Sequence, residues 1–162
     1  MMRVGHGYDV HRLKTGRLCI LCGVEIPSEV GPDGHSDADV AVHALMDALL
    51  GAAALGDIGR HFPDNDDAYM GISSLVLLDR VMELIRERGY ALGNADITII
   101  AQKPKLAPYI DDMRRCLAAH MGCDMDDVNV KATTEEHLGF TGEGLGIAAH
   151  AVVLLEKISE TF

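Results

Sequence analysis

Along the chain, apolar and polar positions alternate in short runs, switch to a helical spacing and switch back. Residues 2 to 9, at the start of "MMRVGHGYDV", read as a first strand because apolar and polar side chains alternate there with period two. "RLCIL" and "GVEIP" read as a hairpin or two short strands around Cys22-Gly23, and "SEVGPDGHSD" follows as a loop. In "DADVAVHALMDALLGAAALG" apolar residues recur at 41, 44, 45, 48, 49 and 52, a helical stripe, with Ser36 or Asp37 where a cap belongs. "GDIGRHFPDNDD" reads as an acidic loop, and "ISSLVLLDRVMELIRERG" as a second helix capped near Ser73 or Ser74 and closed by Gly89. "ADITIIAQ" alternates as a strand, "KPKLAP" turns, and "YIDDMRRCLAAHMG" is a third helix ending at Gly122. "VNVKAT" is a strand, "TEEHLGFTGEGLG" a loop, and "IAAHAVVLLEK" a last strand. The pattern predicts one domain over residues 1–162, an α/β (α+β) two-layer sandwich with helices covering one face of a mixed sheet.

Composition narrows the function. The 162 residues are 48% hydrophobic, enough for a real core, and no apolar run approaches the roughly 18 residues of a membrane span. The opening has no signal-peptide character, so a cytoplasmic protein is expected. Net charge is −11, from 14 Lys and Arg against 25 Asp and Glu, which argues against nucleic acid as a partner. An anionic substrate then needs local cations or metal ions. Of the four cysteines, Cys19 and Cys22 share a C-x-x-C spacing but sit in a strand-like run, where residues three apart face opposite ways. They read as buried structural thiols.

Several residues could carry chemistry. Asp9 and His11, two apart on a strand end, share one face, and carboxylate plus imidazole suits zinc or another divalent transition ion. A third ligand must come from elsewhere. His43 lies beside the helical stripe, with Asp47 one turn on to orient it. On spacing alone, a surface His43–Asp47 pair is the favoured reading. His35 and Ser36 precede a helix start, where free amides serve a cap or a phosphate. "GDIG" and "FPDND" place carboxylates that could accept from sugar hydroxyls or simply be solvated. Thr133-x-x-Glu136 fits a capping box, and the same hydroxyls could hold phosphate while Glu136 binds Mg²⁺. No nucleophile elbow, Walker loop or dinucleotide fingerprint is present, and His6 reads as structural.

"GHGYDVHRL", "GHSDADVAVHALMDALLGAAALGDIGRHFPD", "DITIIAQKPKLAPYI" and "DDVNVKATTEEHLGFTGEGLGIAAHAV" together closely resemble the 2-C-methyl-D-erythritol 2,4-cyclodiphosphate synthases of the non-mevalonate isoprenoid route, in order and over essentially the whole chain. The resemblance implies conversion of 4-diphosphocytidyl-2-C-methyl-D-erythritol 2-phosphate to the cyclodiphosphate and CMP. It also implies a homotrimer with sites between neighbours, and the lack of transit-peptide character leans toward a bacterial source. Asp9, His11 and His43 match zinc ligands, and Glu136 matches the ligand of a Mg²⁺ or Mn²⁺ bound with the diphosphate. His35 and Thr134 match residues that stabilise the transition state, and Ser36 a substrate contact. Asp57, Ile58 and Gly59, with Phe62, Asp64 and Asp66, match contacts to the methylerythritol part. Ala101, Leu106 and Ala107 belong to the cytidine-binding turn, with Lys105 near the phosphates. Ala132 and Thr133 complete that pocket, and Phe140 joins the substrate contacts.

The chain departs from the pattern in two places. Many members read "GFTGRGEG" where this one has "GFTGEGLG", so Glu143 and Leu145 replace an Arg and a Glu that line a cavity on the trimer axis. An acidic Glu143 repeated about that axis is expected to repel isoprenoid diphosphates. Glu135 stands where a third Thr is common. At 162 residues no fused second enzyme domain is expected. The competing expectations are a metal-dependent phosphodiesterase acting on a nucleotide diphosphate and a non-catalytic trimeric metal- or ligand-binding protein.

Overall fold

Alternation carries further than residue 9. In the computed structural model, which describes residues 1–159, the first strand β1 runs over Met2–Thr15. It exposes Val4, His6, Tyr8 and Val10 on one face and turns Gly5, Gly7, Asp9 and His11 to the other. The polar pair does not end the strand, because β1 stays paired along its whole middle with β7 (Gly146–Lys157), Asp9 opposite Ala149 and His11 opposite Ile147. A hairpin of β2 (Cys19–Leu21) and β3 (Val24–Ile26) follows, closed by Cys22 and Gly23 at φ 51° and 75°. Two consecutive positive φ values are what a two-residue hairpin turn requires. With β4 (Val30–Pro32), β5 (Tyr90–Ile100) and β6 (Val128–Thr133), the main sheet has the order β4-β1-β7-β5-β6. Only β5 and β6 are parallel, joined by a helical crossover, so the sheet is mixed as expected.

Helices α1 (Val40–Ala52), α3 (Ser74–Glu87) and α4 (Ile110–Met121) form the second layer. Between α1 and α3, the acidic segment holds one short helix, α2 (Ile58–His61), rather than plain loop. The core lies between the layers and is built from Leu45, Leu49, Leu78, Met82, Ile97 and Ile99, all fully enclosed. The other sheet face is bare in this single chain, with Val4, Tyr8, Val10 and Val152 each more than two-fifths exposed. Among the described residues no helix is long and apolar enough to cross a membrane.

Two local expectations fail for a physical reason. Asp39, rather than Ser36 or Asp37, caps α1, its carboxylate accepting from the Val42 amide. Ser36 Oγ accepts instead from the Ala38 amide, and Asp37 is drawn to Ser74. The proposed Thr133–Glu136 capping box does not form. Thr133 ends β6, Glu136 and His137 sit at φ 56° and 64°, and the short helix α5 (Gly139–Gly142) begins only after Leu138. Thr134 takes the capping-type bond, its Oγ1 accepting from the Glu136 amide. Glu135 accepts from the Thr141 hydroxyl at 2.8 Å, which fastens α5 to the loop before it. The four cysteines are free thiols; Cys19 and Cys22 are buried, as their place in the sequence implies.

Candidate metal centre and its cleft

The closest approach of the two layers builds the site. Gly5 and Gly7 face the carbonyls of Ala48 and Ala44 so tightly that a Cβ would lie 1.9 Å and 1.8 Å from those oxygens. No side chain other than hydrogen fits, so β1 and α1 are in direct backbone contact. Asp9 and His11 follow Gly7 on the same face, and His43 precedes Ala44. The three ligand atoms therefore converge, all within 4.8 Å of one another. Asp9 Oδ2 lies 2.8 Å from His11 Nε2 and 3.1 Å from His43 Nδ1, and the two imidazole nitrogens are 3.3 Å apart.

Each imidazole is held from behind. His11 Nδ1–H donates to the Asp33 carbonyl at 2.8 Å, which leaves Nε2 as the lone-pair nitrogen facing the cluster. His43 presents Nδ1 to the cluster and turns Nε2 toward the hydroxyls of Ser74 (2.9 Å) and Ser36 (3.2 Å). Asp47 does not orient His43. Its carboxylate accepts from the Ile58 amide at 2.8 Å and so ties α2 to α1. Burial pushes the Asp9 carboxyl up, but hydrogen bonds and charge from His11 and His43 outweigh it and bring it down to about 2. Burial pushes the His11 imidazole down, and the Asp9 hydrogen bond and charge reverse this to a net rise. A permanently ionised carboxylate with two imidazole lone pairs is a donor set for zinc or a similar ion.

The cluster floors a cleft of about 230 Å³ that also holds His35, Ser36, Ile58, Gly59, Phe62 and Asp64. His35 is held at its mouth by an Nε2–H bond to the Asp66 carbonyl at 3.0 Å. A second hollow, of about 470 Å³, is walled by the turn Ala101–Ala107, including Lys105 and Leu106, and by Ala132, Thr133 and Thr134. The two hollows share no lining residue. His35 and Thr134, paired by resemblance, thus stand in different hollows of one chain. Asp57, Asp66, Glu136 and Phe140 line neither. Asp57 caps α2, Asp66 accepts from the Ala68 amide, and the Phe140 ring covers Gly146. Sequence reasoning missed the contact of Ser74 with His43. The signal was the double serine of "GISSLVLL": one serine suffices to cap a helix, and Ser73 does so.

Known proteins match this chain throughout. The profile of the YgbB family covers residues 2–156. The 2-C-methyl-D-erythritol 2,4-cyclodiphosphate synthase of Trichlorobacter lovleyi is 63% identical over 154 residues, 95% of this chain and 98% of that protein. The same-named protein of Geobacter sulfurreducens is 62% identical over 156 residues, 96% of this chain and 99% of its own length. Among solved structures, the bifunctional IspDF from Campylobacter jejuni superposes with a TM-score of 0.95 at 41% identity, covering 98% of this chain and 43% of that one. A Plasmodium falciparum IspF solved as a CDP complex gives 0.86 at 34% identity, with 98% and 97% covered. With its fold, its metal-type cluster and its sequence all agreeing end to end, this chain belongs to the YgbB family of 2-C-methyl-D-erythritol 2,4-cyclodiphosphate synthases.

Proposed function

We propose that the Asp9–His11–His43 cleft is one half of an active site whose nucleotide half, Ala101–Ala107 with Ala132–Thr134, comes from a second copy in a homotrimer. The chain is a cyclising phosphorus–oxygen lyase that converts 4-diphosphocytidyl-2-C-methyl-D-erythritol 2-phosphate into 2-C-methyl-D-erythritol 2,4-cyclodiphosphate and CMP. An oxygen of the 2-phosphate bonds to the β-phosphorus, the bond from that phosphorus to the CMP oxygen breaks, and CMP leaves with the electron pair. The substrate supplies its own nucleophile, which accounts for a site without an activated Ser, Cys or Lys.

Such a transfer depends on positioning and charge neutralisation. Asp9, His11 and His43 would hold zinc or another divalent transition ion, which would supply Lewis-acid charge for the phosphates. Ile58, Gly59, Phe62 and Asp64 form the wall against which the methylerythritol part rests. Ser36 and His35 face the phosphates from the cleft, and Lys105 adds a positive charge from the nucleotide hollow. Asp57 and Asp66 shape the cleft loop through their caps, and the Phe140 ring packs over Gly146 at the start of β7. Glu136 belongs to no three-ligand group among the described residues, so a Mg²⁺ or Mn²⁺ there would take most of its shell from the substrate, as Mg²⁺ commonly does.

Two features support joining halves across copies. The hollows share no lining residue, so within one chain they are two separate recesses rather than one continuous site. The bare sheet face with Val4, Tyr8, Val10 and Val152 is an apolar surface of the kind that subunit contacts cover. The observation that carries the reading is the convergence of the three ligands beside the phosphate-facing residues His35 and Ser36. Incubation with the cytidine diphosphate substrate in H₂¹⁸O, followed by ³¹P NMR, tests it. CMP and a cyclic diphosphate without solvent oxygen are expected. A ring-open product carrying ¹⁸O would point to a phosphodiesterase, and absence of turnover to a binding protein.

A further inference from the structure

Behind His43 lies a chain of hydrogen bonds that reaches a carboxylate. Ser74, the first residue of α3, is fully enclosed. Its hydroxyl donates to Asp37 Oδ1, and its amide donates to Asp37 Oδ2 at 3.0 Å. With its only hydroxyl proton committed to Asp37, Ser74 Oγ can only accept from His43 Nε2, 2.9 Å away. Nε2 must then carry a proton. Nδ1 is left with its lone pair directed at Asp9 and His11. Ser36 Oγ, at 3.2 Å from Nε2, already accepts from the Ala38 amide and is a longer partner.

We propose that Asp37 and Ser74 are positioning residues that lock His43 in the Nε2–H tautomer and thereby set the metal affinity of the cluster. The inference rests on the reading of that cluster as a metal site. It has a structural consequence: the ligand on α1 is oriented from α3 and from the loop before α1, so the docking of those elements is transmitted to the metal. Partners that orient a ligating imidazole are worth 10- to 100-fold in metal affinity or activity.

The test is a chelator competition titration with Zn²⁺, and the visible spectrum of the Co²⁺-loaded protein, on wild type, Ser74→Ala, Ser74→Thr, Asp37→Ala and His43→Ala. Metal-free melting of each variant reports folding separately. Ser74→Ala is expected to bind Zn²⁺ about 10- to 100-fold more weakly with an altered Co²⁺ spectrum. Ser74→Thr, which keeps the hydroxyl, should return within threefold of wild type. Asp37→Ala frees the hydroxyl proton to donate to Nε2 and should weaken binding similarly. It carries the test alone if Ser74→Ala does not fold. Wild-type affinity and spectrum in a folded Ser74→Ala, or in Asp37→Ala, would overturn the proposal. Equal Zn²⁺ binding by wild type and His43→Ala would instead remove the metal-site reading on which it stands.

Discussion

Gly7→Ala is the sharpest probe of how the fold makes the site. The added Cβ would stand 1.8 Å from the Ala44 carbonyl oxygen and 2.8 Å from its carbon. A carbon–oxygen contact needs about 3.2 Å or more, and a packed interior yields little, so α1 must retreat from β1 by roughly 1.4 Å. Asp9 lies two residues beyond Gly7, and His43 is the neighbour of Ala44, so the retreat opens the 2.8 and 3.1 Å contacts of the cluster directly. Metal–ligand distances tolerate about 0.2 Å. Overpacking of this kind costs about 1–3 kcal/mol, a fall in Tm of about 3–10 °C for a chain of this size. The effect on the site is larger: a misplacement of about 1 Å can cost about 100-fold in turnover. Zn²⁺ content, melting with and without chelator, and ³¹P turnover together read the outcome. Chelator should lower the wild-type Tm and leave that of Gly7→Ala unchanged. Gly51→Ala is the control, since nothing lies within 4 Å of its Cβ and the helix should gain about 0.5–1 kcal/mol. A Gly7→Ala protein with wild-type zinc affinity and turnover within threefold would refute the claim that this backbone contact assembles the cluster.

Three further outcomes follow. Burial pushes the Asp39 carboxyl up to about 6 from 3.8, against the pull of hydrogen bonds from the Gly23, Val42 and Cys22 amides. Its stabilising contribution is then full below pH 4 and lost as pH rises through 6, about 3 kcal/mol in all, so urea melts of wild type relative to Asp39→Asn should show wild type gaining on acidification; a gap that stays constant refutes this. Mixed and reassembled His43→Ala and Lys105→Ala chains should regain about a quarter of wild-type sites if the halves come from different copies, and none if each chain holds a whole site. Calorimetry with farnesyl diphosphate should give no binding tighter than about 100 µM, because in the proposed trimer three exposed Glu143 carboxylates would meet about the axis and repel it, and a Glu143→Arg change should restore binding.

The long-range partners were the part the sequence concealed. Strand and helix periods, the two-apart Asp9 and His11, and the Cys22-Gly23 turn are local signals, and the structure contains all of them. Local chemistry misled where several partners competed for one side chain. Asp47 is correctly spaced for His43, but the Ile58 amide claims it. Ser36 and Asp37 are good cap residues, yet the Ala38 amide and Ser74 engage them and Asp39 inherits the helix. Thr133 and Glu136 have capping-box spacing, but the left-handed backbone at Glu136 prevents a helix from starting. The first strand runs on to Thr15, beyond the end at residue 9 that the pattern predicts, and its inward-facing His11 belongs to the site.

The division of the site follows from this same distribution of contacts. Four separate stretches converge on the metal cluster: β1 with Asp9 and His11, the Asp33 carbonyl, α1 with His43, and α3 with Ser74. Both imidazoles have a second contact that fixes their direction, so this half is stiff before any substrate arrives, as charge stabilisation in a transition state requires. The nucleotide half is different. From Lys131 through Phe140 every residue is exposed, and the hydroxyls of Thr133 and Thr134 bond only within their own loop. A phosphate loop with that much free surface lacks the enclosure that excludes water from a reacting diphosphate. The stiff cleft supplies such enclosure, but on another part of the chain. In the proposed trimer, bringing the two together across copies would give the reaction a dry site without burying either half in the monomer core. The same assembly would leave the bare apolar face of the sheet available to cover another subunit.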